Sequence, residues 1–255
     1  RAYSSGQAPT TAFGQNIAAT PQTPQADQLP RIDPNAAQPQ GLEPGSLEEA
    51  QAVSFEVIAY AMALATEQRS NPTSTAVQAL LNGEVEGTKM SEELFAWMFI
   101  LIMVGGNEST RTAIAHGMRL LIENPDQLQH LVEHPEDITH AVEEMLRYNT
   151  AFIAMRRTAT QDVEWNGHDI KKGDKVILHY HAVNHDEDAF GDDAMVFDIH
   201  RHNRIPNLRG EIRSFGVGEH FCLGMNLARL EMNIMFEEII PRLRNAQFAG
   251  DTTYM

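Results

Sequence analysis

The feature that constrains the fold most is a long helical stretch in the middle of the chain. It begins after Ser91, where Glu92 and Glu93 place negative charge in the first turn, and its helical pattern continues to Glu123. At a rise of 1.5 Å per residue such a helix is about 50 Å long, which is enough to cross a whole domain. We therefore expect a domain built around this helix.

Two adjacent glycines, Gly105 and Gly106, lie near the middle of this stretch. Each costs about 1 kcal/mol relative to alanine in a helix interior. We expect another group to approach the helix backbone closely at this turn.

Shorter helices and a small β region are expected on either side of the long helix. Residues 151–177 contain strand-like pieces separated by turns at Asn166-Gly167 and at Gly173. Further helices are predicted over 46–67, 75–81 and 222–243, and at the prolines 125 and 135. The buried side of the last helix is predicted to contain Leu227, Leu230, Ile234, Phe236 and Ile240. The predicted fold class is mainly α with a minor β region.

The first 45 residues have a different composition from the rest. They hold seven of the twelve prolines, with many Gln, Ala, Ser and Thr residues, and show no helical or strand period. We interpret residues 1–45 as an irregular lead-in and residues 46–255 as the domain. Because the chain begins at Arg1, we expect that its true N-terminus is missing.

Charge and hydropathy exclude several classes of partner. The 19 Lys and Arg residues against 35 Asp and Glu residues give a formal charge of −16, which disfavours nucleic acid and anionic membrane as partners. The longest apolar stretch, residues 94–104, is eleven residues long, whereas about 18 are needed to suggest a membrane span. We expect a cytoplasmic protein with no membrane segment.

The single cysteine, Cys222, cannot form a disulfide within the chain. It lies in the glycine-rich segment Phe-Gly-Val-Gly-Glu-His-Phe-Cys-Leu-Gly, residues 215–224, just before or at the start of a predicted helix. Backbone amides at a helix start stabilise an anion, and glycines let amides converge on the sulfur. The alternative is a buried structural cysteine beside a turn.

This segment resembles the haem-binding loop of the cytochromes P-450, the haem-thiolate monooxygenases. Its anchors match the family pattern Phe-x-x-Gly-x-His/Arg-x-Cys-x-Gly. The resemblance implies that Cys222 is the thiolate ligand of a haem b iron, that Phe215 packs beside it and that His220 reaches a haem propionate. It also implies that Gly218 and Gly224 permit the turn.

Two other motifs resemble segments of the same family. Glu144 and Arg147 match its Glu-x-x-Arg pair, which the resemblance implies is buried with a third arginine, here Arg201. On spacing alone, this pair is equally typical of a weak surface ion pair.

The long-helix segment, residues 105–110, resembles the family's Gly-rich turn beside the oxygen site. The resemblance implies that Gly105 borders that site and that Glu108 and Ser109 relay protons, with Thr110 in reserve. Ser109 stands where the family usually has threonine, and it lacks the methyl group that restrains the rotamer. The alternatives are a helix-crossing contact at the glycines and a solvated Glu108 pair.

The remaining site residues also come from the resemblance. Arg157, with Arg156 as the competing choice, is expected to meet a haem propionate. Three apolar side chains are expected to line the substrate cavity, namely Val104, Phe152 and Ile153. The implied reaction is hydroxylation of a small apolar substrate of the terpenoid, steroid or aliphatic class. It uses dioxygen and electrons from a ferredoxin or flavoprotein.

The resemblance covers the carboxyl-terminal half of a family member. We therefore expect that the N-terminal part of the fold is missing. The alternative to an active monooxygenase is an inactive partial fragment of such an enzyme without stable haem. A third possibility is a zinc-dependent hydrolase, because histidines recur at close spacing. They occur in the pairs His179 and His181, His200 and His202, and His220 with Cys222. No carboxylate-and-histidine helix motif accompanies them.

Overall fold

A computed structural model describes residues 47–85, 87–244 and 246–248. The predicted lead-in, residues 1–45, lies outside the described residues. The α-helices are α1 (Leu47–Ser70), α2 (Thr75–Leu81), α3 (Glu92–Glu123), α4 (Pro125–Glu133), α5 (Ile138–Tyr148), α6 (Tyr180–Val183), α7 (Glu187–Phe190), α8 (Leu208–Glu211) and α9 (Met225–Leu243). Short 3-10 turns cover Pro135–Asp137, Arg201–Asn203 and Gly218–His220. The prediction of a mainly helical fold is confirmed.

Helix starts follow the capping signals in the sequence. The Ser91 side chain accepts a hydrogen bond from the Leu94 amide at 3.1 Å and caps α3, as its position predicted. Ser74 caps α2 in the same way through Val77. The predicted start of the last helix at Cys222 is wrong by three residues, because residues 222–224 complete a turn before α9 begins at Met225.

The β region consists of three two-stranded antiparallel sheets. They pair β1 (Glu84–Val85) with β2 (Thr88–Lys89), β3 (Met155–Thr158) with β6 (Lys175–Leu178), and β4 (Val163–Trp165) with β5 (His168–Ile170). The predicted turn at Asn166-Gly167 joins β4 to β5, with φ angles of 50° and 79°. Gly173, at φ 95°, lies in the turn before β6. Both turns occupy backbone conformations that favour glycine or asparagine.

The main core forms where α3, α4, α5 and α9 pack together. Gly117 of α3 allows this packing, since a Cβ atom there would lie 2.6 Å from Cζ of Phe236 and 2.8 Å from Sδ of Met145. Close packing against the α3 backbone thus occurs at Gly117, a position that the sequence analysis did not single out. The approach expected at Gly105 and Gly106 remains a prediction. At Gly105 and Gly106 an added Cβ would meet no atom within 4 Å.

A second hydrophobic cluster lies between α1, α2 and the first turns of α3. Its buried members are Ala61, Ala65, Leu81, Met90, Phe95 and Ala96. The long helix thus contributes its beginning to one cluster and its end to the other.

The predicted buried face of α9 is partly wrong. Phe236 and Ile240 are buried, but Leu227, Leu230 and Ile234 are exposed. At 100° per residue these two sets lie on opposite sides of the helix. The side of α9 that is covered is the one that faces α3, α4 and α5, and that side also contains Met232 and Arg229.

Candidate functional site

The segment at residues 215–224 forms a tight loop that presents the Cys222 thiol. Gly216 and Gly218 adopt φ angles of 74° and 70°, a left-handed backbone conformation that favours glycine. The Cys222 amide donates a hydrogen bond to the Phe215 carbonyl at 2.9 Å and closes the loop. The thiol of Cys222 is exposed and forms no disulfide.

Gly216 has a role that the sequence reasoning did not assign. A Cβ atom at this position would lie 3.2 Å from the hydroxyl oxygen of Tyr180, and its positive φ is unfavourable for other residues. An added Cβ at Gly218, by contrast, would meet nothing within 4 Å. Gly216 therefore allows the loop to pack against Tyr180 of α6. Gly218 allows a positive φ and leaves the space beside the loop open.

A buried ion pair fixes the inner side of the loop. Arg229 of α9 donates to both carboxylate oxygens of Glu143 on α5, at 2.7 and 2.9 Å. The Arg229 guanidinium also lies 4.5 Å from the centroid of the Phe215 ring, a cation–π distance. The sequence reasoning missed both charged residues. The sequence signal that could have identified them is a charged residue on the side of a helix whose other residues face the core.

A pocket of about 340 Å³ lies beside this ion pair. It is lined by Phe215, Phe221 and Arg229 together with Arg209 and Arg213. The pocket thus combines aromatic side chains with three guanidinium groups.

Glu144, Arg147 and Arg201 form a second buried cluster. Arg147 donates to both oxygens of Glu144, at 2.7 and 2.8 Å, and Nε of Arg201 lies 3.2 Å from each of the same oxygens. All three side chains are 0% exposed. The structure thus brings together Glu144 and Arg147 of the motif with Arg201, the expected third arginine.

The remaining donors of the two arginines hold the irregular chain after α6. Arg147 donates to the carbonyls of Asn184 and Ala194. Arg201 donates to the Val196 carbonyl at 2.7 Å and to the Asp193 carboxylate at 2.9 Å. Because buried N–H groups need partners, this cluster fixes the backbone that leads toward the loop.

The electrostatics of the cluster agree with this bonding. The hydrogen bond from Arg201 lowers the pKa of Asp193 below its ordinary value. Burial by itself would lower the pKa of Arg201, but the charge of Glu144 and the hydrogen bond to Asp193 outweigh it and raise that pKa. Asp193 and Arg201 therefore each stabilise the charged form of the other.

Hydrogen bonds also attach the residue before the loop to α5. Ser214 donates to the carbonyl of Leu146 at 2.5 Å and accepts from the side-chain amide of Asn184 at 2.8 Å. The Asn184 amide oxygen accepts from the Arg213 amide at 2.7 Å. The segment that enters the loop is therefore held from both of its sides.

The proposed proton-relay residues lie on one turn of α3. The Ser109 hydroxyl donates to the Gly105 carbonyl at 2.6 Å, and Glu108 forms an ion pair with Arg111 at 2.5 Å. The Glu108 and Arg111 side chains are 61% and 72% exposed, as in the solvated-pair alternative. Thr110 faces the other way and is buried.

The residues expected to meet the propionates and the substrate are accessible in the structure. On β3, Arg157 is half-buried and Arg156 is exposed, and Nη1 of Arg157 donates to the Arg156 carbonyl. The apolar side chains of Val104, Phe152 and Ile153 are exposed. His220 ends the 3-10 turn two residues before Cys222.

The histidine pairs considered for a zinc hydrolase do not form one site. Within the described ranges, the group of three or more metal-ligating side chains that lies close enough to share an ion is His130, Asp137 and His200. Of the paired residues, only His200 belongs to it. The same part of the chain contains no helix that is long and apolar enough to cross a membrane.

Comparison with known proteins decides the family. The family model described as cytochrome P-450 matches residues 46–247. The chain belongs to the cytochrome P-450 family. This cytochrome P-450 chain is 37% identical over 238 residues to the steroid C26-monooxygenase of Rhodococcus jostii, covering 93% of the chain and 49% of the relative. It is 40% identical to the methyl-branched lipid omega-hydroxylase of Mycobacterium bovis over 194 residues, covering 75% and 44%.

Solved cytochrome P-450 structures have the same fold. CYP109E1 from Bacillus megaterium, in complex with corticosterone, matches with a TM-score of 0.70 and 31% identity over 80% of this chain and 55% of that one. The PksS cytochrome P-450 from Bacillus subtilis matches with a TM-score of 0.71 and 32% identity over 81% and 52%. The chain spans about half the length of the relatives it matches.

The family implies a haem cofactor, and the donors in this cytochrome P-450 chain fit one. Cys222 offers an exposed thiol, the ligand type of the family, and the chain has no second cysteine with which it could form a disulfide. The open space beside Gly218 leaves room for a flat ligand against the loop.

Proposed function

We propose that this cytochrome P-450 chain holds haem b through the Cys222 thiolate and belongs to an enzyme that hydroxylates a small apolar substrate. The observation that carries the proposal is the exposed Cys222 thiol at the end of a loop closed by the Phe215 carbonyl. Arg229, which pairs with Glu143, packs on the Phe215 ring and so holds the loop in a fixed position. A rigid thiol costs less ordering on binding than a mobile one.

Other residues of the loop and strand β3 would bind the rest of the cofactor. Gly218 and Gly224 would allow the porphyrin to lie against the loop, and Phe215 would pack beside the cysteine ligand. His220 would donate to one propionate, and Arg157 to the other, with Arg156 as the alternative. Charge-assisted hydrogen bonds of this kind orient an anionic ligand.

The bound haem would supply activation of dioxygen, using two electrons from a ferredoxin or flavoprotein, and a thiolate ligand favours cleavage of the O–O bond. The chain's own contribution is proton delivery from α3. The exposed Glu108 carboxylate exchanges protons with water, and the Ser109 hydroxyl passes them on when it rotates away from the Gly105 carbonyl. Thr110 is the reserve, and its burial makes it the less accessible of the two hydroxyls.

The substrate class follows from relatives and from the chain's apolar surface. The two relatives are named for steroid and methyl-branched lipid substrates, and we extend this to an apolar substrate with a branched aliphatic end. Val104, Phe152 and Ile153 would contact it. A terpenoid of similar shape belongs to the same class of ligand.

The carbon monoxide complex of the reduced protein tests the cysteine assignment. Haem is added to the purified chain, and the Soret band is recorded for the wild type, for Cys222→Ser and for an exposed-residue control, Glu219→Gln. We expect the red-shifted band of thiolate ligation in the wild type and the control only. A haem-loaded wild type without that band, or a Cys222→Ser variant with it, would overturn the proposal.

A second candidate is that the chain alone holds no stable haem. It is favoured by the exposure of Leu223, which is 81% exposed beside the exposed Cys222, since the described residues provide no apolar cover over this part of the loop. Transfer of haem from the chain to an excess of apomyoglobin distinguishes the two. Loss within minutes favours this second candidate, and retention over hours excludes it.

Substitution of Ser109 tests the proton relay in the haem-loaded protein. Ser109→Ala should release more peroxide per electron consumed, because the hydroxyl that delivers protons is gone. Ser109→Thr is the matched control and should release no more peroxide than the wild type, since it keeps the hydroxyl and adds the methyl group that restrains it. Equal peroxide release from Ser109→Ala and the wild type would count against Ser109 as the relay.

A further inference from the structure

A cluster of histidines lies on a surface that the proposed haem site does not use. His130 of α4, Asp137 of the 3-10 turn and His200 approach one another from three separate segments. Nε2 of His130 lies 2.7 Å from Oδ2 of Asp137, and the rings of His130 and His200 are 4.4 Å apart, edge to face. One ligand atom from each of the three residues lies within 4.8 Å of the other two.

We propose that His130, Asp137 and His200 bind a divalent transition-metal ion, with Zn²⁺ as the best match. Two imidazole nitrogens and a carboxylate oxygen form a common three-residue zinc ligand set, and a water completes the tetrahedron. With bonds of about 2.0–2.1 Å, tetrahedral ligands are about 3.3 Å apart. The three atoms therefore need only small side-chain movements to close around an ion.

The backbone around the three residues is already fixed. The Gln127 side chain donates to the Phe197 carbonyl and accepts from the Ile199 amide, both at 2.9 Å, which ties α4 to the segment before His200. The His200 amide donates to the Asp198 carboxylate at 2.9 Å. Such a scaffold lowers the cost of ordering the ligands, as strong metal sites require.

The neighbours of the cluster support cation binding. His134 stacks on His130 with ring centroids 4.6 Å apart, and its side chain is about half exposed. A second stacked pair, His140 and His202, has centroids 3.9 Å apart. The three proposed ligands are partly buried, which limits competition from bulk water.

Metal binding would hold the segment around His200 and Arg201 more rigidly. His200 directly precedes Arg201, which the buried Glu144 holds. An ion at His200 would thus join α4 to the same segment from its outer side. Because the ion would bind the folded chain and not the unfolded one, it should raise the thermal midpoint Tm by several degrees. This inference is independent of haem binding.

Titration of Zn²⁺ alone into the full chain tests the proposal by calorimetry and by thermal unfolding. We expect a site of one ion per chain, and His130→Gln, Asp137→Asn and His200→Asn should each weaken it at least about tenfold and abolish the Tm rise. His168→Gln, an exposed histidine on β5, is the matched control and should bind like the wild type. Tight binding that survives in all three ligand variants, or no binding by the wild type, would overturn the proposal.

Two other metal-binding groups need to be distinguished from the cluster. His181 and His185 lie one turn apart, with ring centroids 4.3 Å apart, and the exposed Cys222 is a thiol. Loss of the site in a His181→Gln/His185→Gln variant, with the cluster intact, would overturn the proposal. Co²⁺ in place of Zn²⁺ should give tetrahedral visible bands that persist in Cys222→Ser, whereas their complete loss in that variant would assign the site to the thiol.

The Asp137→Asn variant keeps the test valid if a histidine variant fails to fold. Asp137 lies in a surface turn and its substitution removes no core contact. A folded Asp137→Asn protein that binds Zn²⁺ as tightly as the wild type would exclude the carboxylate as a ligand.

Discussion

Two glutamates in this chain each have an arginine three positions later. Glu108 and Arg111 form an ion pair on the surface of α3, whereas Glu144 and Arg147 are fully buried and Glu144 also pairs with Arg201. Water screens the first pair, so it adds little to stability. The second pair is buried away from water, so each of its charges is stabilised only by the residues that pair with it.

The same substitution in both pairs measures this difference. Glu144→Gln should lower the free energy of unfolding by about 3–5 kcal/mol, because two buried guanidinium groups then lack their counter-charge. Glu108→Gln should change it by less than about 0.5 kcal/mol. Denaturant titrations of both variants give the two values, and similar losses in the two would contradict the assignment of burial.

Glycines in α3 provide a second residue-scale prediction. Gly117→Ala should destabilise the chain by about 1–3 kcal/mol, because the new methyl group would overlap Phe236 and Met145 in the core. Gly105→Ala should stabilise it by up to about 1 kcal/mol, since alanine favours the helix and nothing lies within 4 Å. Thermal unfolding of both variants tests the signs, and a stabilised Gly117→Ala protein would show that α3 and α9 can separate without cost.

At the scale of elements, α9 shows what a pattern of apolar residues leaves open. The helix has one apolar stripe through Leu227, Leu230 and Ile234 and another through Met232 and Phe236, on opposite sides. Helical periodicity identifies both stripes but does not rank them. The packing of α3, α4 and α5 covers the second stripe, and this decides which side is the core.

His181 of α6 and His185, two residues after its end, give a pH-dependent prediction. Burial lowers the pKa of both histidines below the ordinary value of 6.5. The charges of His179 and Arg147 add to the lowering of the His181 pKa. The hydrogen bond from His185 to the His181 carbonyl opposes the lowering of the His185 pKa but does not outweigh it. The unfolded chain therefore takes up protons near pH 6.5 that the folded chain does not yet bind. Stability from this pair is present above pH 6.5 and is lost as the pH falls through the lower, folded pKa values.

Thermal midpoints measured between about pH 7.5 and pH 5.5 test this linkage. We expect the midpoint to fall less in His185→Gln than in the wild type, because glutamine takes up no proton. His168→Gln, an exposed position on β5, should retain the wild-type pH dependence. An unchanged pH dependence in His185→Gln would show that this histidine does not contribute.

At the scale of the whole molecule, the two hydrophobic clusters should differ in stability. The second cluster contains buried residues of α1, α2 and the first turns of α3, whereas the larger main core joins α3, α4, α5 and α9. Regions with fewer buried apolar contacts open at lower free energy. We therefore expect the second cluster to open before the main core.

Native-state hydrogen exchange measures these openings. The amides of Leu81 and Phe95 should exchange through an opening of lower free energy than those of Met145 and Phe236. Leu81→Ala should speed exchange in the second cluster and leave the main core unchanged. A single common opening for both regions would contradict the division.

The sequence by itself determined the longer helices to within a few residues, the cap at Ser91, the turns between strands and the loop around Cys222, because these features depend on neighbours within a few residues. Ser91 and Asn166-Gly167 are examples, since capping and positive φ are local properties. Even the family could be inferred, because its loop motif is contiguous in the chain. The third arginine of the Glu144 cluster could be named only through that resemblance.

Two residues or stripes that look the same in the sequence can differ in burial, and only the tertiary structure decided which of them is buried. It separated Glu144 from Glu108, Gly117 from Gly105 and one stripe of α9 from the other. It also paired Arg229 with Glu143 and brought His130 to His200, across 86 and 70 positions. Burial and long-range pairing depend on which surfaces meet, and the free energy of those contacts is absent from any local segment of the chain.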